Sequence, residues 1–312
     1  MLSRAEVAQL LDLPSLIDAL AVGFMRLSAG DVSVPPRVAA DAPSGFLAVM
    51  PGWTRDIALA AKLVSVFPGN HAVGLPSHQA LVVVFDEATG APVAVMDGTE
   101  ITAIRTAAST ALAVRELARP DARVLAVLGA GVQGAAHLRA VPLVRGFGEV
   151  RVASRSFARA SLLASSVAGV VAVESFVDAV TGADVVCCCT DAATPVVSRA
   201  WLRNGAHVSS VGASRLGPEL DAQTIADASV FVESRVACSA PPAGAWELVG
   251  VDPSSVTELG EVLAGTRPGR RSSAELTVWK SMGHAVEDAV AARLVLDAAR
   301  ARGAGRPVDL SG

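Results

Sequence analysis

The order of apolar and polar positions divides the chain into a mixed first part and a regular alternation of strands and helices after it. Residues 4–30 carry apolar side chains at helical spacing, which predicts helices. Apolar or alternating runs then predict strands at Phe46–Met50, Ala58–Val66, Ala80–Asp86 and Pro92–Asp97, the last two joined by a turn. The first part of the chain is therefore predicted to combine helices with a sheet.

A strand–helix alternation follows an alanine-rich helix that is predicted from Glu100 to about Ala118. Strands that alternate with helices in this way predict a parallel sheet. A last helix is predicted from Val278 to about Arg302. We expect it to pack back on the first part of the chain, which would make that part discontinuous. The alternating segments are 123–128, 132–145, 149–154, 156–167, 184–190, 206–211 and 229–233.

The first strand of this series ends in a turn that is rich in glycine. Val124–Leu128 is an apolar run, and Gly129, Gly131 and Gly134 follow it before a helical pattern begins. In a dinucleotide-binding unit the first glycine permits the turn, the second leaves room for a diphosphate, and the third lets helix and strand pack closely. The phosphates then lie on the N–H groups at the start of the helix. A merely structural turn is the alternative. The predicted cofactor contacts are Gly129, Gly131, Val132, Gln133 and Gly134.

The residues after the second strand indicate which dinucleotide is bound. An NAD site usually ends this strand with Asp or Glu, whose carboxylate accepts hydrogen bonds from the ribose. Here Ser154, Arg155 and Ser156 stand instead. A guanidinium between two hydroxyls would bind a 2′-phosphate that a carboxylate would repel. We therefore expect NADP(H) to be preferred, with NAD(H) left open, and a solvated loop arginine is the alternative interpretation of Arg155.

Composition and charge argue against several classes of partner. The 312 residues have a formal net charge of −4 and an isoelectric point near 5.8, so we expect neither a nucleic acid nor a membrane as partner. No apolar run reaches the roughly 18 residues of a membrane span, and no signal peptide is expected. The triplet Cys187, Cys188 and Cys189 is typical of a buried strand, and with Cys238 its spacing suits neither disulfides nor a metal site. We expect a cytoplasmic protein.

The chain resembles the ornithine cyclodeaminase/mu-crystallin family nearly from end to end, and most closely its mu-crystallin branch, a ketimine reductase. The segments that carry the resemblance are Pro35–Arg37, Ala61–Asn70, Leu75–Ala80, Ala94–Gly98, Ile101–Ala108, Gly129–Gln133, Val211–Arg215, Glu258–Val262 and Lys280–Asp288. The strand–helix pattern and the resemblance together predict an α/β fold, with a Rossmann-type doubly wound dinucleotide-binding domain and a discontinuous α+β domain. The resemblance implies that residues 1–118, completed by 289–312, bind substrate and form a homodimer, and that 119–288 bind the dinucleotide.

Three cations fall in segments that we expect to bind the substrate. Lys62 interrupts an apolar run from Ile57 to Val66, where burying a charge is costly. The resemblance implies that Arg37, Lys62 and Arg105 hold the carboxylate of a small imino or amino acid, as bidentate guanidinium groups do. Lys62 is also the catalytic candidate, since it could protonate an imine if neighbouring arginines lowered its pKa. Taken one by one, the three are ordinary strand, loop and helix cations.

The resemblance adds residues to both predicted sites. In the cofactor site it implies Thr106 and Gly212. Thr190 is predicted there from its own position, because it ends a strand of the parallel sheet, where such sheets bind ligands; an ordinary strand-end threonine is the alternative. In the substrate site it implies His78, which a structural hydrogen bond in a loop explains equally well. Asp288 also matches a family position, and a solvated helix face is its alternative explanation.

Position 214 departs from the pattern of the cyclodeaminase branch. That branch has an aspartate there that holds the substrate amine and activates water, whereas this chain has Ser214. A hydroxyl can bind substrate but is no general base near neutral pH without help. Glu219 and Asp221 could substitute for the aspartate, but we expect them to begin the next helix, with Asp221 as its cap.

The function that these features favour is NAD(P)H-dependent reduction of small cyclic ketimines, Δ1-pyrroline-2-carboxylate or Δ1-piperideine-2-carboxylate, to L-amino acids. Three alternatives stay open. The first is an ornithine or lysine cyclodeaminase that retains NAD(H). The second is an amino-acid oxidoreductase that resembles alanine dehydrogenase. The third is a binding protein without turnover.

Overall fold

The computed structural model describes residues 1–212 and 217–309, and their contacts divide the chain into two compact units. The first unit comprises Met1–Arg105 and His284–Gly312, and the second comprises Thr106–Gly283. The chain passes from one to the other within helix α3, Gly98–Leu117. The functional domain boundaries inferred from the sequence, after residues 118 and 288, stay a prediction.

The first unit is built on an antiparallel sheet with strand order β1-β3-β4-β5-β6, and β2 pairs with β3. The strands are β1 Val32–Ser33, β2 Val38–Ala42, β3 Gly45–Thr54, β4 Ala58–Val66, β5 His78–Phe85 and β6 Pro92–Asp97. The helices are α1 Arg4–Leu10, α2 Leu13–Ser28 and α9 Ala285–Arg302. The strands predicted at 58–66 and 92–97 are confirmed at both ends.

One face of this sheet is buried more fully than the other. Alternate residues of β4, Ala58, Ala60 and Lys62, are buried, as a period of two residues requires. Helix α9 packs against β3 and β4 on this side and against α2. The two helices approach closely, because a Cβ at Gly23 of α2 would lie 2.8 Å from the Val290 side chain. The C-terminal helix therefore completes the core of the N-terminal sheet, as expected.

The second unit contains an eight-stranded parallel sheet with strand order β13-β12-β14-β11-β10-β7-β8-β9. The chain starts at β7, adds β8 and β9 on one side, and then returns to add β10 and β11 on the other. This order confirms the predicted doubly wound fold. The strands are β7 Val124–Leu128, β8 Glu149–Ala153, β9 Val170–Ala172, β10 Val185–Cys188, β11 His207–Ser210, β12 Ser229–Val232, β13 Thr257–Glu258 and β14 Thr277–Lys280. The helices after α3 are α4 Val132–Ala140, α5 Phe157–Ser165, α6 Phe176–Val180, α7 Ala222–Asp227 and α8 Leu259–Leu263.

The prediction of a helix from Val278 is wrong, because Thr277–Lys280 form strand β14. All four residues are buried, between β11 on one side and β12 on the other. A strand that is covered on both faces is a continuous apolar run, and apolar spacing does not distinguish it from a helix. The helix begins only at Ala285, where the His284 ring accepts the Val286 N–H.

The amino-terminal edge of the parallel sheet is held by one buried carboxylate. Asp184, just before β10, accepts the N–H groups of Arg123 and Val124 at 2.7 and 3.0 Å. The guanidinium groups of Arg119 and Arg203 lie 2.5 and 2.8 Å from its Oδ1. Burial by itself would raise the pKa of Asp184, but these donors together lower it. Asp184 therefore aligns β7 with β10 at the edge opposite to the glycine turn.

The cysteine triplet lies where its pattern predicts. Cys187 and Cys188 are buried in β10, and Cys189 follows the strand. Burial raises the pKa of the Cys187 thiol to about 12, which makes it an inert core side chain. Within residues 1–212 and 217–309, no single helix is both long and apolar enough to cross a membrane, although the bent pair α1 and α2 together meets the length and composition required.

Candidate functional site

The glycine turn of the second unit has the geometry that the sequence predicts. Gly129 follows β7 with φ +113°, and a Cβ there would lie 2.4 Å from the Cys189 carbonyl oxygen. A Cβ at Gly134 would lie 2.0 Å from the Gly129 carbonyl oxygen. A side chain at either position would therefore force the strand, the turn and α4 apart.

The start of α4 is open to an anion. Gly131 is the N-cap, and in the part of the chain that the structure describes no side chain caps the helix and no atom lies within 4 Å of a Cβ placed there. Val132 is 65% exposed, and the buried Oε1 of Gln133 has no hydrogen-bond partner among the described residues. Uncapped N–H groups at a helix start favour a phosphate. The residues present therefore fit a dinucleotide diphosphate.

The three residues predicted to select the dinucleotide follow β8 directly. Ser156 is the N-cap of α5 and accepts the Arg159 N–H, and its own N–H donates to Ser154 Oγ at 3.4 Å. The Arg155 side chain between them is exposed. The structure thus brings Ser154, Arg155 and Ser156 together at the carboxyl end of a strand beside the glycine turn, and no carboxylate occupies these three positions.

Thr190 and Gly212 follow the neighbouring strands β10 and β11, and Glu219 binds both. The Thr190 N–H and hydroxyl donate to Glu219 Oε1 at 2.8 and 2.6 Å. The Gly212 N–H donates to Glu219 Oε2 at 2.7 Å. Thr106, in α3, is buried. The prediction that Asp221 caps the next helix is confirmed, since it accepts the Thr224 N–H; the prediction that Glu219 begins that helix is wrong.

In the first unit, two buried cations and two buried carboxylates form a cluster. Lys62 Nζ lies 3.0 and 2.9 Å from Asp288 Oδ1 and Oδ2. Arg105 Nε lies 3.3 Å from the same Oδ1, and its Nη1 lies 3.0 Å from Glu287 Oε2. Glu287 Oε1 accepts the His284 N–H at 2.7 Å. We call Lys62, Arg105, Glu287 and Asp288 the buried quartet; β4, α3 and the first turn of α9 supply it.

The electrostatics of the quartet differ from the prediction in two ways. Burial, rather than neighbouring arginines, is the main reason that the pKa of Lys62 is lowered to about 8; Asp288 opposes this effect, and Arg105 adds a smaller decrease. The alternative of a solvated helix face for Asp288 is wrong, because Asp288 is only 2% exposed. With Lys62 protonated, the quartet is balanced in charge.

The other predicted substrate residues are placed differently. Arg37, half-buried just before β2, lies close enough to His284 to help burial lower the pKa of its ring. His78 is exposed, with Nδ1 3.0 Å from Ser77 Oγ. It pairs with Val66, whereas Lys62 pairs with Val82, so His78 lies about 13 Å from Lys62 along the strand. Ser214 lies outside the described residues.

Sequence reasoning placed Glu219 at the start of a helix and gave Glu287 and Lys280 no role in either site, and only Lys280 carried a signal. The chain has just two lysines, Lys62 within strand β4 and Lys280 at the end of strand β14. They are 2% and 0% exposed. The argument from the cost of a buried charge therefore applied to both. By contrast, Glu219 and Glu287 stand among polar residues or on a helix, where a solvated carboxylate is the ordinary expectation.

The comparisons with known proteins agree with this fold. A sequence model of the ornithine cyclodeaminase/mu-crystallin family matches residues 1–303. A ketimine reductase mu-crystallin from Mus musculus is 42% identical over 290 residues, which cover 91% of this chain and 91% of that protein. The Thermococcus litoralis Δ1-pyrroline-2-carboxylate reductase in complex with NADH and L-proline has a TM-score of 0.92 at 33% identity, covering 98% of this chain and 99% of that one. An archaeal alanine dehydrogenase dimer with bound NAD has a TM-score of 0.90 at 28% identity, covering 99% and 98%.

Replacing Lys62 by methionine should change how stability depends on pH. Because the folded-state pKa of about 8 lies below the ordinary value of lysine, the unfolded chain binds more protons between the two values. The free energy of unfolding of the wild type should therefore rise relative to Lys62→Met by about 1 kcal/mol per pH unit between about pH 8 and pH 10. Urea unfolding of both proteins over this range measures the difference. A constant difference would contradict the lowered pKa of Lys62 in the folded protein.

Proposed function

The chain belongs to the ornithine cyclodeaminase/mu-crystallin family, and from that premise we propose that it reduces small cyclic ketimines with NADPH. It is an NAD(P)-dependent oxidoreductase that acts on C=N or CH–NH bonds. The proposed substrates are Δ1-pyrroline-2-carboxylate and Δ1-piperideine-2-carboxylate, which would give L-proline and L-pipecolate. The observation that carries the proposal is the buried Lys62 ammonium, with a pKa near the physiological range and held on one side by Asp288.

The charge balance of the buried quartet suits such a substrate. A protonated cyclic ketimine that carries a carboxylate is a zwitterion with no net charge. A charge-balanced quartet can accept a zwitterion without leaving a net buried charge, which would be costly. We propose that Lys62 and Arg105, with Arg37 nearby, hold the substrate carboxylate, while Glu287 and Asp288 keep the two cations in place.

The reaction adds a hydride to the imine carbon and requires a proton on the imine nitrogen. NAD(P)H supplies that hydride when it is bound, and Gly131, Gln133 and the start of α4 would hold its diphosphate. Lys62 Nζ would hold or deliver the proton, since burial lowers the pKa of Lys62 to about 8 and so makes it a better acid than an exposed lysine. Asp288 fixes the direction of Nζ from the other side.

The proposed preference for NADPH rests on the end of β8. The Arg155 guanidinium is exposed there, and its neighbours Ser154 and Ser156 carry hydroxyls. A 2′-phosphate would gain charge-assisted hydrogen bonds from these groups, whereas a ribose hydroxyl finds no carboxylate at these positions to accept its hydrogen bond. NADH remains the second candidate, because related structures hold NADH or NAD.

The test is NADPH oxidation by the purified protein with each of the two cyclic ketimines, repeated with NADH. The proposal predicts stoichiometric oxidation and formation of the L-amino acid, faster with NADPH. Ammonia release from ornithine or lysine without net NAD(P)H consumption would instead identify a cyclodeaminase. Oxidation only with pyruvate and ammonia would identify an alanine dehydrogenase, and ligand binding without turnover would identify a binding protein.

Arg155→Ala is the matched variant for the choice of cofactor. It should raise KM for NADPH by roughly tenfold or more, the effect of losing a charged hydrogen bond, and should change KM for NADH little. Equal effects on both cofactors would mean that Arg155 does not contact the 2′-phosphate.

We further propose that the chain forms a homodimer through the partly exposed face of the first unit's sheet. Leu47, Leu81 and Val93 lie on the face opposite to Lys62 and are 44%, 50% and 38% exposed. Exposed apolar side chains on one face of a sheet are typical of an interface. The archaeal alanine dehydrogenase to which the chain is similar is a dimer.

Leu81→Asp should convert the dimer to a monomer, because it places a charge in the centre of the proposed apolar interface. Sedimentation velocity measures the change. The matched control is Leu162→Asp, since Leu162 is 72% exposed on α5, and this variant should stay dimeric. A wild type that sediments as a monomer, or two variants that behave alike, would contradict the proposed interface.

A further inference from the structure

Three charged side chains meet in the second unit in a buried network that the proposed reaction does not use. Lys280, at the end of β14, and Glu219 are 0% and 1% exposed, and the Glu247 side chain is 3% exposed. Lys280 Nζ lies 3.1 Å from Glu247 Oε1, and the Glu219 N–H donates to the same oxygen at 2.8 Å. We call these three residues the Glu219 network. Buried charges of this kind are costly unless each one is paired and hydrogen-bonded.

The Glu219 network holds the chain where it leaves two neighbouring strands. Glu219 accepts both the N–H and the hydroxyl of Thr190, which follows β10, and the Ser210 hydroxyl and Gly212 N–H at the end of β11. Lys280 Nζ donates to the Gly212 carbonyl oxygen at 2.7 Å and to Ser210 Oγ at 3.0 Å. The Gly212 N–H is thus bound by the Glu219 carboxylate, and the Gly212 carbonyl oxygen is bound by the Lys280 ammonium.

The packing at Gly212 shows how tightly this arrangement is defined. A Cβ at position 212 would lie 2.4 Å from Glu219 Cδ and 2.7 Å from the Thr190 carbonyl oxygen. Thr190 directs both of its donors at Glu219, so these groups do not donate to a ligand. Thr190 and Gly212 therefore define the shape of this edge of the sheet, and Glu219 and Lys280 fix that shape.

The position of this edge in the sheet indicates which part of a dinucleotide it would meet. The glycine turn follows β7, Arg155 follows β8 on one side of β7, and Thr190 and Gly212 follow β10 and β11 on the other side. Nucleotides bind at the carboxyl ends of such strands, where the strand order reverses. With the diphosphate at β7 and the adenosine half at β8, the nicotinamide half extends toward β10 and β11.

We infer that Glu219 and Lys280 are positioning residues for the nicotinamide half of the cofactor, because they hold Thr190 and Gly212 in the arrangement that receives it. The inference rests on the dinucleotide binding in the proposed function, but not on the identity of the imine. Removing either charge takes hydrogen bonds away from Gly212 and Ser210. In Glu219→Gln, for example, an amide donor replaces one carboxylate oxygen and faces a backbone N–H of Thr190 or Gly212.

The experiment compares two ligands by calorimetry in the absence of any imine. NADPH carries both halves of the cofactor, whereas 2′,5′-ADP carries only the adenosine half. Glu219→Gln and Lys280→Met should weaken NADPH binding by about tenfold, as expected when a charged hydrogen bond is lost. The Kd of both variants for 2′,5′-ADP should stay within about twofold of the wild-type value, because this ligand carries only the adenosine half. If the wild type prefers NADH, then NADH and ADP replace the two ligands.

The matched control is Asp184→Asn. Asp184 is a buried carboxylate just before β10, whereas Thr190, which Glu219 binds, follows the other end of β10. Asp184→Asn should lower the thermal unfolding midpoint about as much as Glu219→Gln, and it should leave both affinities unchanged. This control separates a local effect on the nicotinamide half from a general loss of stability.

Three outcomes overturn the inference. Wild-type NADPH affinity in Glu219→Gln and Lys280→Met would show that the network is only structural. Equal weakening of NADPH and 2′,5′-ADP would show a general distortion of the unit. If the wild type binds neither NADPH nor NADH, the inference fails with its premise. If the wild type binds NADPH but reduces no imine, the proposed function fails alone, and the comparison of the two ligands still decides the inference.

Discussion

The structure of the first unit depends on one buried ion pair, between Lys62 of β4 and Asp288 of α9. The two residues are 226 positions apart, and both are almost fully buried. A lysine inside an apolar sheet is strongly unfavourable without a partner. Docking of α9 supplies the partner, and with it Glu287 for Arg105. The same contact therefore completes the core and sets the pKa of the proposed proton donor, so stability and chemistry cannot be varied independently at this position.

The features that could be predicted from the sequence are those in which local pattern and tertiary environment agree. Strand β4 is an apolar run that Lys62 and Ser65 interrupt, and its bounds could be predicted to the residue. The turn at Gly129 and Gly134 could be predicted because the close backbone approach excludes any Cβ there. The cost of a buried charge singled out Lys62, since a charge that interrupts an apolar strand needs a specific partner.

The features that could not be predicted depend on contacts between distant segments. Strand β14 resembles a helix in sequence because it is covered on both faces. Strand β2, Val38–Ala42, shows no alternation of apolar and polar residues, and all five of its residues are exposed. Glu219 and Asp288 look like ordinary solvated carboxylates until the fold buries them beside Thr190 and Lys62. For the candidate site, the cations could therefore be predicted from the sequence, whereas the carboxylates that orient them could not.

The central claim is that Asp288 keeps the buried Lys62 protonated for reduction of an imine. The most direct test is the pH dependence of kcat/KM for wild type and Asp288→Asn with a cyclic ketimine and saturating NADPH. If Lys62 acts in its protonated form, activity falls as the pH rises through its pKa, which is about 8 in the wild type. Because the Asp288 carboxylate raises that pKa, the fall in Asp288→Asn should come at lower pH. If kcat/KM fell over the same alkaline pH range in the two proteins, the proposed role of Asp288 would be contradicted.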